Sequence, residues 1–515
     1  MAVDTSELKT PRLRPARAIL RGGAYDAVDL GRKELRGWHP RRISPNGALE
    51  GDLHKLRDFS RDLWRNSNIC NGAIKTMRTS VVGSGLKAYP AVNYKWLGLD
   101  RNAATEWEQD TYHKWQTWAT NPERCDAARQ STFVEMQALA LYGALVDGDA
   151  FALLPVLSRN GGAPELRISL RGGAYVDTPE TKAFDDSVHS GIELDEWGGP
   201  VAYWFRDSHP YDTTTIAAGW TRVPVRGAKT GRRLVLHLFD RTEIGQVRGE
   251  PLLARAIVLV KQLARYTDAE AMAAVLNAFL AIFIQREKSD DLGGRPPIGY
   301  GDGADAAAPG GSDLTVDMAN GAVVDLDQGE TVQSVAPGRP NPNYQTFVDA
   351  LLREIGLGIG IPFEVLVKKF DSSYSASRAA RLDANHTFTQ WKTWLATSFC
   401  QPVYEEWLAG AVSRGEISAP GFFDDPAARA AWCSCKWVGD SFGSIDPQKE
   451  AQAFKTLIEE GLMTREQATI ELNGGDLDDN ARQLAHEYEL FDSLGVPLGG
   501  EPQQNAADDS QKGRA

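Results

Sequence analysis

YQTFVDALLREIGLGIGIPFEVLVKKFDSSYSASRAAR, Tyr344 to Arg381, is the stretch whose reading decides the fold. Phe347, Leu351, Leu352 and Ile355 recur at three- and four-residue steps, which gives one apolar face of a helix. Gly356, Gly358 and Gly360 loosen that helix. Pro362 should end it, because proline lacks the N–H and disfavours helix in the residue before it. Lys368 and Lys369 then stand in a loop, and Asp371, Ser372, Ser373 and Ser375 can each cap a new helix. The reading is therefore helix, hard stop, lysine-bearing loop, helix.

Upstream, apolar residues keep helical spacing over Leu53–Leu86 and Ala104–Trp118. Trp107, Trp115, Trp118 and Tyr112 form a stripe best read as core. Ser131 is a candidate cap for a helix Phe133–Leu145, and Asp147-Gly148-Asp149 reads as a turn into a strand Ala150–Leu157. Residues 166 to 240 alternate. LRISL, GIELDEWGGPVAYWF and RRLVLHLF read as strands, with Gly198-Gly199 as a hairpin turn. A long helix should run from Pro251 to about Ile284. Residues 286–340 are rich in Gly, Pro and Asp, with short strands at VVDLDQGE and TVQSVAP. The helix from about Ser375 to Leu408 contains Pro402, which should kink it. Helices follow over Pro447–Gly461, Thr464–Leu472 and Asp479–Leu494, with Asp446 as one cap and a Thr464/Gln467 capping box. The fold class is thus α+β, mainly helical.

The 515 residues exceed one ordinary core, and a net charge of −13 argues against a protein that coats nucleic acid by neutralising phosphates. It does not argue against one that lets nucleic acid pass. Five scattered cysteines suit free thiols in a reducing compartment. The N-terminus has arginines but no apolar segment of the kind a signal peptide needs. The longest apolar run, Ala271–Ile284, is too short to span a bilayer. No zinc, calcium or nucleotide-loop spacing occurs: Cys433-x-Cys435 lacks a second half, and Gly356-x-Gly358-x-Gly360 follows a helix, not a strand. The reading therefore expects no cofactor, no metal and no catalytic residues. Residues 286–340 hold ten acidic and four basic side chains, a net −6, whereas residues 1–50 hold ten basic against six acidic. Such a run usually means a surface solvated by carboxylates; only if many copies converged on an axis would it make a negative bore to which a polyanion would not adhere. Lys368 and Lys369 are the positive counterpoint.

Across roughly residues 55–470 the order of these segments resembles the portal proteins of lambda-like tailed phages. The resemblance rests on RDLWRNSNICNGAIKTMRTSVVGSGL (Arg61–Leu86), TFVEMQALALYGALVDGDAFALL (Thr132–Leu154) and GQVRGEPLLARAIVLVKQLARYTDAEAMAA (Gly245–Ala274). It continues through the quoted stretch, FCQPVYEEWLAGAVSRGEI (Phe399–Ile417) and IDPQKEAQAF (Ile445–Phe454).

The resemblance implies a ring of twelve subunits at one procapsid vertex, a conduit through which double-stranded DNA is packaged and ejected. It is assembled in the host cytoplasm and carried in the virion. The implied parts are a basic arm (1–52), wing (53–249, returning over 411–444), first stem helix (250–285), clip (286–340), second stem helix (341–360) and tunnel loop (361–375). A long helix (376–410), a crown (445–495) and a disordered tail (496–515) complete the chain. Implied partners are further copies of the chain, the large terminase subunit, a head–tail adaptor, major capsid and scaffolding proteins, and the passing DNA, with no membrane. Lys368, Lys369, Ser372 and Ser373 would face the DNA. Asp302, Asp305, Asp325, Asp327 and Glu330 would form the docking surface of the clip. Leu252, Ile257, Val260, Leu263, Leu276 and Leu280 would pack the stem within and between subunits. One rival reading is a soluble, hydrolase-like enzyme, against which the lack of a catalytic constellation counts; a second is a membrane channel, against which the lack of a spanning segment counts.

Overall fold

The computed structural model describes residues 32–159, 161–210, 219–279, 283–286, 330–333, 343–370, 373–441, 447–473, 475 and 477–495. The basic arm up to residue 31, most of 286–340, Asp446 and the tail from 496 lie outside the described residues.

A helical body forms around tryptophan. Trp115 and Trp118 on the helix Arg101–Ala119 are buried. The Trp115 ring lies 5.0–5.4 Å from the rings of Trp118, Phe133, Tyr404 and Trp407. Burying each such ring contributes about 2–3 kcal/mol, and edge-on geometry adds to that. Trp107 and Tyr112, on the same helix, sit at the margin: the Trp107 indole donates to the Ser418 carbonyl (2.8 Å) and Tyr112 stacks on Tyr89 (5.5 Å).

The run expected over 53–86 is two helices, Leu53–Asn66 and Asn68–Val81. Ser67 divides them. It is extended (φ −103°, ψ 117°) and its side chain accepts from Cys70 N, capping the second helix. The cap of Phe133–Tyr142 is Thr132, not Ser131. Thr132 and Glu135 form a reciprocal capping box, with Thr132 N donating to the Glu135 carboxylate at 2.7 Å. Ser131 lies one residue outside the cap, its N–H donating to the Asp126 carboxylate (3.0 Å).

Two π-turns interrupt the helices, Gly143–Asp147 and Ala396–Cys400. The second explains Pro402. The helix Tyr374–Leu395 widens into the π-turn and continues as Gln401–Ser413, with proline in the first turn after the widening. The expected kink is thus taken up by the wider turn, which tolerates the missing N–H.

A β-module stands beside the body. One sheet has the order Val235–Phe239, Asp149–Leu153, Ser169–Gly172, with His237 opposite Phe151. The other is a four-stranded meander ending in Pro200–Arg206 and Trp220–Pro224. Phe151, Val176, Ile192, Tyr203, Phe205 and Val235 form its own core. The hairpin at Gly198 closes as expected, with φ +77° at that residue. Trp220–Pro224 was not anticipated. The body is closed by Lys87–Pro90 pairing antiparallel with Cys435–Val438.

The helix expected to reach Ile284 ends earlier. Leu252–Ala256 is a 3-10 turn, Ile257–Phe279 is helical, and Phe283–Arg286 is a strand paired with Glu330–Gln333. Aromatic and β-branched residues (Phe283, Ile284, Thr331, Val332) favour the extended pairing there. Tyr344–Ile359 returns against this helix, and Tyr266 meets Tyr344 (5.7 Å) and Phe347 (4.8 Å). The C-terminal helices are Pro447–Glu459, Arg465–Asn473 and Leu477–Leu494, and the Thr464/Gln467 box is formed (3.0 and 3.1 Å).

Candidate functional site

The stop after Tyr344–Ile359 comes at Gly360, not Pro362. Gly360 takes the left-handed conformation (φ +76°), and Ile361 N donates back to the Gly356 carbonyl (2.9 Å). Gly356 is required here, because a Cβ would lie 2.5 Å from the Ile361 carbonyl oxygen. Pro362 instead starts a single turn, Phe363–Leu366, whose last amide donates to the Pro362 carbonyl. Ile361 and Leu366 are buried, so the base of the loop is anchored in the body. Arg353 lies over the Phe363 ring at 4.9 Å.

Beyond that anchor the chain turns outward. Lys368 has φ +55°, uncommon for a side-chain-bearing residue, and Lys369 N donates to the Glu364 carbonyl (3.0 Å). Lys368, Lys369 and Phe370 are exposed. Ser373, also exposed, caps Tyr374–Leu395 by accepting from Ala376 N. Ser372 lies outside the described residues. The loop thus presents two ammonium groups on a short tip whose two feet are fixed, one by burial and one by a helix cap.

Of the proposed stem residues, Val260 and Leu263 are buried within this chain, and Leu252 and Ile257 pack half-buried on the same core. The outward face of Ile257–Phe279 carries Val258 (64% exposed), Met272 (60%) and Val275 (52%). These outward apolar residues were missed because both faces of the helix are apolar in sequence. The side chain of Leu276 and the whole of Leu280 lie outside the described residues. So do Asp302, Asp305, Asp325 and Asp327. The backbone of Glu330 is described, opposite Arg286 in the strand pair.

A buried charge knot was also missed. The Asp149 carboxylate is fully buried and accepts from Arg57 (2.9 Å), from Arg248 (2.5 and 3.2 Å) and from the His237 ring (3.4 Å). Arg57 also donates to the Asp147 carbonyl (2.8 Å), and Arg61 makes a bidentate pair with the Asp147 carboxylate (2.7 and 2.8 Å). Arg248 further donates to the carbonyls of Val176, Ser190 and Gly173. Burial alone would raise the Asp149 carboxyl, but the charges of Arg248 and Arg57 outweigh it and hold it well below the usual range. Burial pushes His237 down to about 4 against the opposing pull of Asp149. Gly148 and Gly249 allow the two backbones carrying Asp149 and Arg248 to touch, since a Cβ on either would strike the other's carbonyl. The knot fastens the helix Leu53–Asn66 to the β-module. Its only trace in the sequence is the pair of short motifs Asp147-Gly148-Asp149 and Arg248-Gly249-Glu250.

No helix among the described residues is long and apolar enough to cross a membrane. Comparison with known proteins gives a match over residues 31–392 to the family described as phage portal protein, lambda family. Portal protein B of Escherichia phage lambda is 24% identical over 455 residues, covering 84% of this chain and 83% of that protein. Among solved structures, the neck of an empty gene transfer agent particle aligns with TM-score 0.45 and 14% identity over 89% of this chain and 95% of that one. The virion of a native gene transfer agent particle aligns with TM-score 0.33 and 16% identity over 77% and 94%.

Proposed function

This chain belongs to the lambda family of phage portal proteins, and on that premise we propose that copies of it form a ring through which double-stranded DNA enters and leaves the phage head. Portal proteins are structural parts of the particle. In this chain the helix Ile257–Phe279 and its return Tyr344–Ile359 serve as the stem, residues 361–375 as the tunnel loop, and the acidic stretch 286–340 as the clip on which the terminase and later a head–tail adaptor dock. The observation that carries the reading of the loop is its form: an exposed Lys368-Lys369 tip on an anchored base, in a chain of net charge −13.

A conduit needs contacts that form and release. A duplex carries a charge about every 1.7 Å, and lysine meets phosphate as a flexible point charge without bidentate geometry. Two lysines per copy would track any sequence without gripping it. The outward face of Val258, Met272 and Val275 supports contact with neighbouring copies, whereas Val260 and Leu263 hold the subunit itself together.

Two measurements test this. Negative-stain images of the purified chain should show rings with a central hole. In packaging reactions with purified procapsids, Lys368→Ala/Lys369→Ala particles should assemble normally but differ in the length of DNA packaged or retained. Wild-type packaging and retention in that variant would sink the assignment of the loop.

A further inference from the structure

Where the β-module meets the helical body there is a cleft of about 340 Å³. Ile192, Leu194, Val225, Val235 and Val247, with the buried Tyr203 among them, supply an apolar part of its walls beside polar groups. Its far side is the π-turn of the long helix, through Thr397, Ser398 and Pro402. Three arginines, Arg226, Arg233 and Arg241, line it together with His237, and no Asp or Glu does. None of the three arginines forms an ion pair with a described carboxylate. Arg226 is steadied by the Gly231 carbonyl (3.1 Å), and Arg241 lies over the Phe239 ring at 5.5 Å.

Among the described residues, three guanidinium groups thus converge on one cleft with no carboxylate lining it. Two arginines of the same module, Arg222 and Arg248, are by contrast held by carboxylates, those of Glu193 and Asp149. Guanidinium groups bind carboxylates bidentately, and the apolar walls have room for a hydrophobic side chain between them. We infer that the cleft is a binding site for an acidic linear segment of a partner protein, with one apolar side chain seated between the walls and its flanking carboxylates held by Arg226, Arg233 and Arg241. A bound segment would touch module and body at once and so fix their junction. A peptide is favoured over a duplex because a cleft of about 340 Å³ admits a side chain and its flanking carboxylates but not a double helix. The inference goes beyond the portal reading and does not depend on DNA passage.

The test uses the full-length chain and a fluorescein-labelled peptide alternating aspartate with leucine, read by fluorescence anisotropy. The same peptide with asparagine in place of aspartate is the comparison. The aspartate peptide should bind about tenfold or more tightly, the effect of losing one charge-assisted contact. Arg241→Gln, at an exposed position, should weaken it by about tenfold. Arg222→Gln, whose arginine is already paired, should leave binding unchanged. Equal binding of the two peptides overturns the inference. So does a DNA duplex or inorganic phosphate that binds in an Arg241-dependent way while the peptide does not.

Discussion

Asp149→Asn isolates the worth of the buried knot. The substitution keeps the shape of the side chain and removes its charge. In the native protein this carboxylate is the acceptor for Arg57 at 2.9 Å, for Arg248 at 2.5 and 3.2 Å, and for His237 at 3.4 Å. Asparagine leaves two buried guanidinium groups without the counter-charge between them, and turns an NH2 toward at least one donor. Breaking a buried pair in this way costs about 3–5 kcal/mol. A surface pair gives the contrast. Arg222 and Glu193 are bidentate but Arg222 is 41% exposed, so Glu193→Gln should cost less than about 1 kcal/mol. Urea titration followed by tryptophan fluorescence measures both. Removing one of the stranded charges should recover part of the loss, so Asp149→Asn/Arg57→Met should be about 1–2 kcal/mol more stable than the sum of its single changes implies. If Asp149→Asn falls within about 1 kcal/mol of wild type, the knot is not dry and the reasoning fails.

Further expectations follow from the same geometry. His237 is held neutral, with its pKa near 4 against about 6.5 in an unfolded chain. The unfolded state therefore binds the extra proton, so stability is full above about pH 6.5 and declines as pH falls toward 4, by up to about 3 kcal/mol. Asp149 adds a separate loss only below its own unfolded value near 3.9. His237→Phe should flatten the pH 4–6.5 limb of a urea midpoint-versus-pH curve. Lys368→Gly relieves a left-handed backbone and should stabilise the loop by about 1 kcal/mol, while Lys368→Val should destabilise it, both read by thermal melting. Met272→Asp should leave the subunit folded but deplete rings in electron micrographs. Leu263→Asp should abolish folding, and the two are separated by circular dichroism. Asp325→Lys/Asp327→Lys should weaken terminase capture in a salt-sensitive pull-down, with rings intact.

The helix–stop–loop–helix order was legible because glycine, proline and cap-forming serines act locally. The tryptophan stripe was legible because its spacing is that of one face of a helix, and Trp115 and Trp118 on that face are buried. Finer points were not. Whether a helix passes through Gly356 depends on the Ile361 carbonyl folding back onto it, which no local propensity encodes. Which apolar face of Ile257–Phe279 turns inward depends on what packs there, since Val258 and Val260 differ in nothing but direction. The knot was hidden for a different reason. Asp149 lies 92 residues from Arg57 and 99 from Arg248, and each residue alone is an ordinary charged side chain.

The strand pairing that closes the body has a consequence during synthesis. Among the described residues Lys87–Pro90 pairs only with Cys435–Val438, and Ser84 is fastened to Asp440, 356 positions later. While the chain is being translated, the first strand therefore waits with its hydrogen-bonding edge open until nearly all of the sequence has left the ribosome. Closing so long a loop adds little to the thermodynamic cost, which grows only with the logarithm of its length, but it makes completion late and slow. A nascent chain stopped short of Cys435 would carry a bare strand edge, a template for pairing with its neighbours on the polysome.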